Sequence, residues 1–309
     1  MSSTMTKQDG SESDQYPKIK MYTNHGCGWC HRVHITLKEL GLAYEEVFVD
    51  LDNPRPDWFL ELNPRGLVPV FQYTATPSSA TLTLTESNHI VAFLTDLYPS
   101  HLTPAITTSL SPSTSPSPDA DNMAIAKAHL RYRMSFFIDT FFSKVNPYMF
   151  RLVGADSPQT QAKLVDECIA LLEKEIETLL ADANPYFGGS DRITVVEVSF
   201  KLKTIEEFNY FALKSPASLT PLENLFTHSL NYQAMTTPFT LRLHDFADGQ
   251  IFPTSLAQRM TDSVKLPNFA RWLDLCMAHP SVTYVWDKEY YLPRIVERLP
   301  QAKAKYASK

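Results

Sequence analysis

The residues best suited to chemistry lie in one short stretch, Tyr22-Thr-Asn-His-Gly-Cys-Gly-Trp-Cys-His31. The strand-like run Lys18–Thr23 ends there, a turn follows, and Cys27 stands where a helical pattern begins. Val33, Leu37 and Leu40 repeat at helical spacing, and Gly41 supplies a stop. The free N–H groups and the dipole at a helix start favour an anion, which here means the thiolate of Cys27 and a good nucleophile. Cys30, one turn further on, either resolves a mixed disulfide on Cys27 or packs as a small apolar residue. The Cys27-x-x-Cys30-His31 spacing is also that of a haem c attachment site, but no export signal accompanies it. Cys27, Cys30, His31 and His34 crowd one helical turn, a poor layout for tetrahedral ligation, so no metal is expected. His31 and His34 read as ordinary helix residues.

Two further signals sit downstream. In Asn63-Pro-Arg-Gly-Leu-Val-Pro-Val70, a proline at the head of a strand needs a reason, and a cis Val68–Pro69 bond supplies one. It leaves the Val68 backbone free to pair with a peptide-like ligand. Glu86-Ser87 opens a helix. Ser87 is expected to cap it, its N–H groups can hold a carboxylate, and Glu86 can take an ammonium. Taken by itself, Glu-Ser is only a capping motif.

The elements that position these residues run β-α-β and then β-β-α. Lys18–Thr23, Tyr44–Asp50, Val68–Tyr73 and Thr81–Thr85 read as strands, with Cys30–Leu40 and Ser87–Leu97 as helices. Residues 1–17 form a polar tail. Residues 18–99 form the first domain, and residues 100–121 a Pro/Ser-rich linker. Residues 122–298 form a helical domain and residues 299–309 a second tail. In the helical half, Asn122–Val145, Pro158–Ala181 and Asn268–Ala278 carry the 3.6-residue period. Thr194–Glu197 reads as a capping box for a helix running toward Tyr210. Residues 215–262 look like an irregular insertion with scattered aromatics. It is either a surface elaboration, a cover for an apolar substrate site, or a dimer or partner surface.

Composition narrows the function classes. The chain has 309 residues, with 28 Lys+Arg against 34 Asp+Glu and a net charge of −6. That length allows about two domains, and the acidic balance argues against nucleic acid. No run approaches a membrane span. The polar N-terminus lacks a secretory pattern, and the few cysteines point to a reducing, cytoplasmic compartment.

Residues 18–99 resemble the thioredoxin-like N-terminal domain of glutathione S-transferases, within them the cysteine-type, omega-like group. The matching stretches are Cys27-Gly-Trp-Cys-His-Arg32, Asn63-Pro-Arg-Gly-Leu-Val-Pro-Val70 and Glu86-Ser87. The helical half matches more loosely, through Thr194–Glu197 and Leu266-Pro-Asn-Phe-Ala-Arg-Trp272. The resemblance implies an α/β domain followed by an all-α bundle, glutathione as co-substrate, and usually a homodimer. It implies catalysis by Cys27, with Cys30 nearby. It further implies a backbone contact from Val68 beside cis-Pro69, and a γ-glutamyl site at Glu86 and Ser87. Trp29 falls among the glutathione-binding residues, and Arg55, in Pro54-Arg-Pro-Asp-Trp58, aligns with a residue that binds the glycyl carboxylate. A small-molecule second substrate would meet Tyr132, Arg133 and Phe136, which equally suit core or interface positions.

Gly28 departs from the family's usual proline, Cys30 from a frequent alanine, and Glu197 from the usual capping aspartate. The implied chemistry is thiol transfer, reduction or deglutathionylation of a small apolar or electrophilic substrate. Conjugation, or glutathione-assisted cis–trans isomerisation of an activated alkene, is the alternative. Omega-like proteins with extra segments resemble those of fungal natural-product pathways. A non-catalytic carrier or regulator is the reading from another class.

Overall fold

In the computed structural model the described residues are 16–104, 118–199 and 242–306. The N-terminal half contains β1 (Lys18–Thr23), α1 (Gly28–Leu40), β2 (Glu45–Phe48), α2 (Asp57–Leu62), β3 (Val70–Thr74), β4 (Leu82–Thr85) and α3 (Ser87–Leu97). The sheet order is β2-β1-β3-β4. β1 and β2 are parallel, as a β-α-β crossover requires, whereas β3 pairs antiparallel with both β1 and β4. This is the thioredoxin-like arrangement expected from the sequence. β3 begins at Val70 rather than Val68, because the preceding Pro69 has no N–H to give a ladder. The Val68–Pro69 bond is cis.

Helix α1 runs through the centre of the molecule, and every residue from Gly28 to Leu37 is buried. Its apolar side, with Val33 and Leu37, packs into the core of the sheet, while Ile35 belongs to the core of the helical half. Gly41 closes it in the left-handed region, at φ 64°, with its N–H and that of Leu42 returning to Lys38 and Leu37.

The helical half contains α4 (Pro118–Thr140), α5 (Asn146–Gly154), α6 (Pro158–Leu171), α7 (Val195–Ser199), α8 (Leu243–Asp248), α9 (Thr254–Met260), α10 (Pro267–Ala278), α11 (Pro280–Thr283) and α12 (Lys288–Tyr306). A π turn at Phe141–Val145 joins α4 to α5. Its cause is in the sequence: Pro147 has no N–H to continue the α ladder. A second π turn at Leu172–Ile176 and a 3₁₀ turn at Glu177–Leu180 replace the end of the single helix expected over Pro158–Ala181.

Several expected boundaries move. The linker expected over 100–121 stops short, because α4 already begins at Pro118, a favoured first helical residue. Leu102, also placed in that linker, is buried and its carbonyl accepts the Val195 N–H at 2.8 Å. The tail expected from residue 299 is helical to Tyr306. Leu299, Ala302 and Tyr306 are buried, and Gly154 makes room for Tyr306. A Cβ on Gly154 would stand 2.5 Å from the Tyr306 carbonyl carbon. Of the irregular insertion expected over 215–262, the described part forms α8 and α9, with Phe246 and Phe252 in the core. Residues 215–241 lie outside the described residues. So do most of the 1–17 tail and the continuation of the Thr194 helix toward Tyr210.

Glu197 holds the helical half together. Its carboxylate accepts the Thr194 N–H at 2.6 Å and the Thr194 hydroxyl at 2.7 Å, and Thr194 Oγ1 accepts the Val196 N–H. That is the capping box read from the sequence. The same carboxylate also accepts the Phe187 N–H at 2.9 Å and the Trp272 indole N–H at 2.6 Å. Glu197 is fully buried, so these donors carry its whole solvation. Glu197→Ala leaves them unmatched and is expected to lower unfolding free energy by about 3–5 kcal/mol. Glu197→Gln should cost less, both being read by urea denaturation.

Candidate active site

The turn before α1 is fixed by one side chain. Asn24 Oδ1 accepts the Gly26 N–H at 2.9 Å, and its amide donates to the Val49 carbonyl at 3.0 Å. The Asn24 carbonyl accepts the Cys27 N–H at 2.9 Å. Cys27 is thereby set in the N-cap position of α1, with extended backbone (φ −80°, ψ 118°). Its Sγ lies 3.9 Å from the Val68 carbonyl, next to cis-Pro69. The structure thus brings together Cys27, Val68 and Pro69, which are far apart in sequence. Cys27 and Cys30 both have no exposed surface and are set in the core of the N-terminal half.

Arg32, five residues after Cys27, is also fully buried. Its guanidinium donates to Asn88 Oδ1 at the start of α3 and to the Ser199 carbonyl in α7 at 2.8 Å. It lies over the Trp29 ring at 4.3 Å and the Phe142 ring at 4.9 Å, and those rings stack on each other. Burial lowers its pKa to about 9, opposed by attraction to Cys27, so it keeps its charge at neutral pH. By the same attraction the guanidinium favours the thiolate of Cys27, as the helix dipole does. Phe142 sits on the π turn of the helical half, and Ser199 on α7, so both halves meet at this cation.

The Glu86-Ser87 pair takes a different form from the expected one. Glu86, not Ser87, is the N-cap of α3, and its side chain makes no capping bond. Ser87 is the first helical residue and is buried. Glu86 has φ 68°, in the left-handed region that non-glycine residues rarely adopt, at a cost of order 1–3 kcal/mol. Its carboxylate pairs with the Arg65 guanidinium, both side chains being about half exposed.

Arg55 is committed within its own loop. It donates to the carbonyls of Asp50 and Asn53 at 2.7 Å each, of Gly66 at 3.2 Å and of Leu51 at 3.4 Å. It thereby ties the segment after β2 to the turn that leads into Val68. Tyr132 and Phe136 are exposed and stacked on one face of α4, at 5.9 Å between centroids. Arg133 forms a bidentate pair with Asp182, at 2.7 and 2.8 Å, and lies over Phe187. The helical-half aromatic that meets Trp29 and Arg32 is Phe142, which sequence reasoning passed over.

The other buried polar residues of α1 are equally engaged. His31 Nδ1 lies 2.8 Å from an Arg242 guanidinium nitrogen, and that guanidinium covers the Trp286 ring at 3.5 Å. Near the end of the helix, Glu39 pairs with His101 at 3.0 Å and bonds the Ser281 hydroxyl.

Replacing Arg32 by Met removes the buried cation while keeping much of its stem. The ultraviolet thiolate absorbance of Cys27, taken as the difference from Cys27→Ser, is expected to titrate about one pH unit higher. An unchanged titration would deny Arg32 any electrostatic role at the thiol.

The chain is similar to known proteins in both sequence and fold. Residues 26–97 match the family described as glutathione S-transferase, N-terminal domain. The chain is 32% identical to pyrimidodiazepine synthase of Drosophila melanogaster over 81 residues, which is 26% of this chain and 32% of that protein. It is 34% identical to mouse glutathione S-transferase omega-1 over 82 residues, 26% of this chain and 32% of that protein. A longer match, to pig omega-1, is 26% identical over 172 residues, 56% of this chain and 60% of the relative. The first of these matches thus span about a third of their relatives' length. Among solved structures, glutathione transferase Omega 1C of Trametes versicolor superposes with a TM-score of 0.60 at 18% identity. The match covers 93% of this chain and 98% of that one. Rice GST1 in complex with glutathione gives 0.58 at 19%, covering 94% and 99%. In sequence, residues 26–97 are thus a glutathione S-transferase N-terminal domain whose curated relatives include omega-class proteins, and the whole architecture has the glutathione S-transferase fold.

Proposed function

We propose that the chain is a glutathione-dependent thiol transferase in which Cys27 is the nucleophile. The observation that supports this reading most is the placement of Cys27 at the start of α1, 3.9 Å from the Val68 carbonyl and electrostatically coupled to buried Arg32. Glutathione lies along the Val68–Pro69 strand start, its cysteinyl unit against the Val68 backbone and its γ-glutamyl end at Glu86 and Ser87. A carboxylate suits the N-terminus of α3, and the ammonium suits Glu86, whose strained backbone is the kind of feature found at ligand-holding residues. Trp29 closes the floor of the site. Arg55 positions the loop on which Val68 is carried. Its carbonyl bonds favour that positioning role over direct contact with the glycyl carboxylate.

In this reading the Cys27 thiolate attacks a glutathionyl disulfide. A Cys27–glutathione disulfide forms and the other sulfur leaves as a thiolate, which takes up a proton. The thiolate of a second glutathione, or of Cys30, then attacks that disulfide. A second glutathione ends as oxidised glutathione; attack by Cys30 ends as a Cys27–Cys30 disulfide and free glutathione. Conjugation fits less well, because a thiolate at Cys27 repels the glutathione thiolate that conjugation needs. A reducing cytosol supplies the glutathione, the second substrate is a small apolar or electrophilic molecule, and the working unit is a homodimer. Among the described residues no helix is long and apolar enough to cross a membrane.

Incubation of the full chain with oxidised glutathione, followed by intact-mass spectrometry, is expected to show one glutathione adduct in the wild type and none in Cys27→Ser. Glutathione binding by calorimetry without any adduct would move the reading to conjugation, isomerisation or carriage. No binding would remove glutathione chemistry from this chain.

A further inference from the structure

A second cluster stands beside the Cys27 turn, built from residues that the thiol chemistry does not use. His25 lies two residues before Cys27, and its Nε2 is 2.6 Å from Glu46 Oε2 on β2. His34, on α1, brings Nδ1 to 3.9 Å from Glu46 Oε1. The two imidazoles meet edge to face, 5.3 Å between centroids. The three candidate ligand atoms all lie within 4.8 Å of one another.

His34 is pre-set for ligation. Its Nε2 is held by the Thr23 hydroxyl at 2.7 Å. With the proton on Nε2 and donated to Thr23, Nδ1 keeps its lone pair on the cluster side. That is the support a ligating imidazole usually has from its second nitrogen. The Nδ1 position is occupied by the Tyr44 hydroxyl at 2.7 Å. Tyr44 also has the Tyr284 hydroxyl at 2.9 Å, so it keeps a partner if it is displaced.

We propose that His25 Nε2, His34 Nδ1 and one Glu46 carboxylate oxygen form a binding site for a divalent transition cation of the zinc class, with water completing the shell. Two imidazoles and one carboxylate suit zinc and its neighbours, whereas calcium and magnesium select all-oxygen sets. Zinc bonds of about 2.1 Å in a tetrahedral shell place ligand atoms about 3.4 Å apart. The 2.6 Å His25–Glu46 contact must therefore open and the longer separations close by about an ångström. His25 and Glu46 side chains are 36% and 35% exposed, which gives them room to turn, while buried His34 stays fixed. The site bridges the β1–α1 turn to the edge strand, so an occupied site braces the turn that carries Cys27.

The test uses the full chain, stripped with a chelator. Zn²⁺ is titrated by calorimetry, and Co²⁺ is added while the absorption spectrum is followed. One equivalent is expected to bind, giving visible cobalt bands without a thiolate-to-cobalt charge-transfer band. His25→Ala and Glu46→Gln should each weaken zinc binding by more than about tenfold, since even outer-shell losses cost that much. Both positions are partly exposed, and circular dichroism checks that the variants fold. Cys27→Ser should leave the affinity unchanged. Three results would overturn the site: no zinc binding, unchanged affinity in His25→Ala and Glu46→Gln, or a thiolate charge-transfer band that disappears in Cys27→Ser. The last would put the metal on the cysteines.

Discussion

A guanidinium with no exposed surface is the constraint around which this molecule is arranged. Arg32 cannot be left in an apolar interior without partners, because an unpaired buried charge costs several kcal/mol. Its partners come from three directions: Asn88 at the head of α3, the Ser199 carbonyl in α7, and the faces of Trp29 and Phe142. Satisfying Arg32 therefore fixes how the helical half docks on the sheet, and it does so along α1, whose N-cap is Cys27. The same cation contributes positive potential at the thiol. Docking and electrostatics at the candidate nucleophile are two consequences of one buried charge.

Other buried charges repeat the pattern at different points. Glu197 gathers the cap of α7, the Phe187 backbone and the Trp272 indole, the last of them 75 residues along the chain. Glu39, near the other end of α1, pairs with His101 and bonds Ser281, while His31 is held by Arg242. The central helix is thus clamped along its length by polar contacts to the helical half, while its apolar side packs on the sheet. A helix buried all round with polar residues inside is stable only because those residues have partners.

The turn between β1 and α1 is held as tightly. Asn24 sets the loop, Thr23 orients His34, and His34 meets Tyr44, Glu46 and His25. The cation site proposed there uses the same rigidity that places Cys27. Polar residues around this junction are committed either to the turn or to the His25–His34–Glu46 cluster.

The sequence alone determined whatever depends on local rules. Strand periodicity, the Gly41 stop, the Thr194–Glu197 box and the proline at the head of β3 are set by backbone sterics and neighbouring hydrogen bonds, and they were legible without a structure. The motif order around Cys27, Val68–Pro69 and Glu86–Ser87 was equally legible. What tertiary structure decided is which polar groups find partners far along the chain. His31 and His34 read as ordinary helix residues, yet they and Arg32 are buried, each meeting an arginine, hydroxyl or carbonyl from another element. Arg55 reads as a ligand-binding cation, but four backbone carbonyls converge on it. The described part of the 215–262 stretch reads as irregular, and the chain from residue 299 as a tail, because neither shows a helical period by itself. They become helices only because the core of the helical half accepts Phe246, Phe252 and Tyr306. Pairing across long separations leaves no periodic mark in a sequence, and that is why these positions needed the folded molecule.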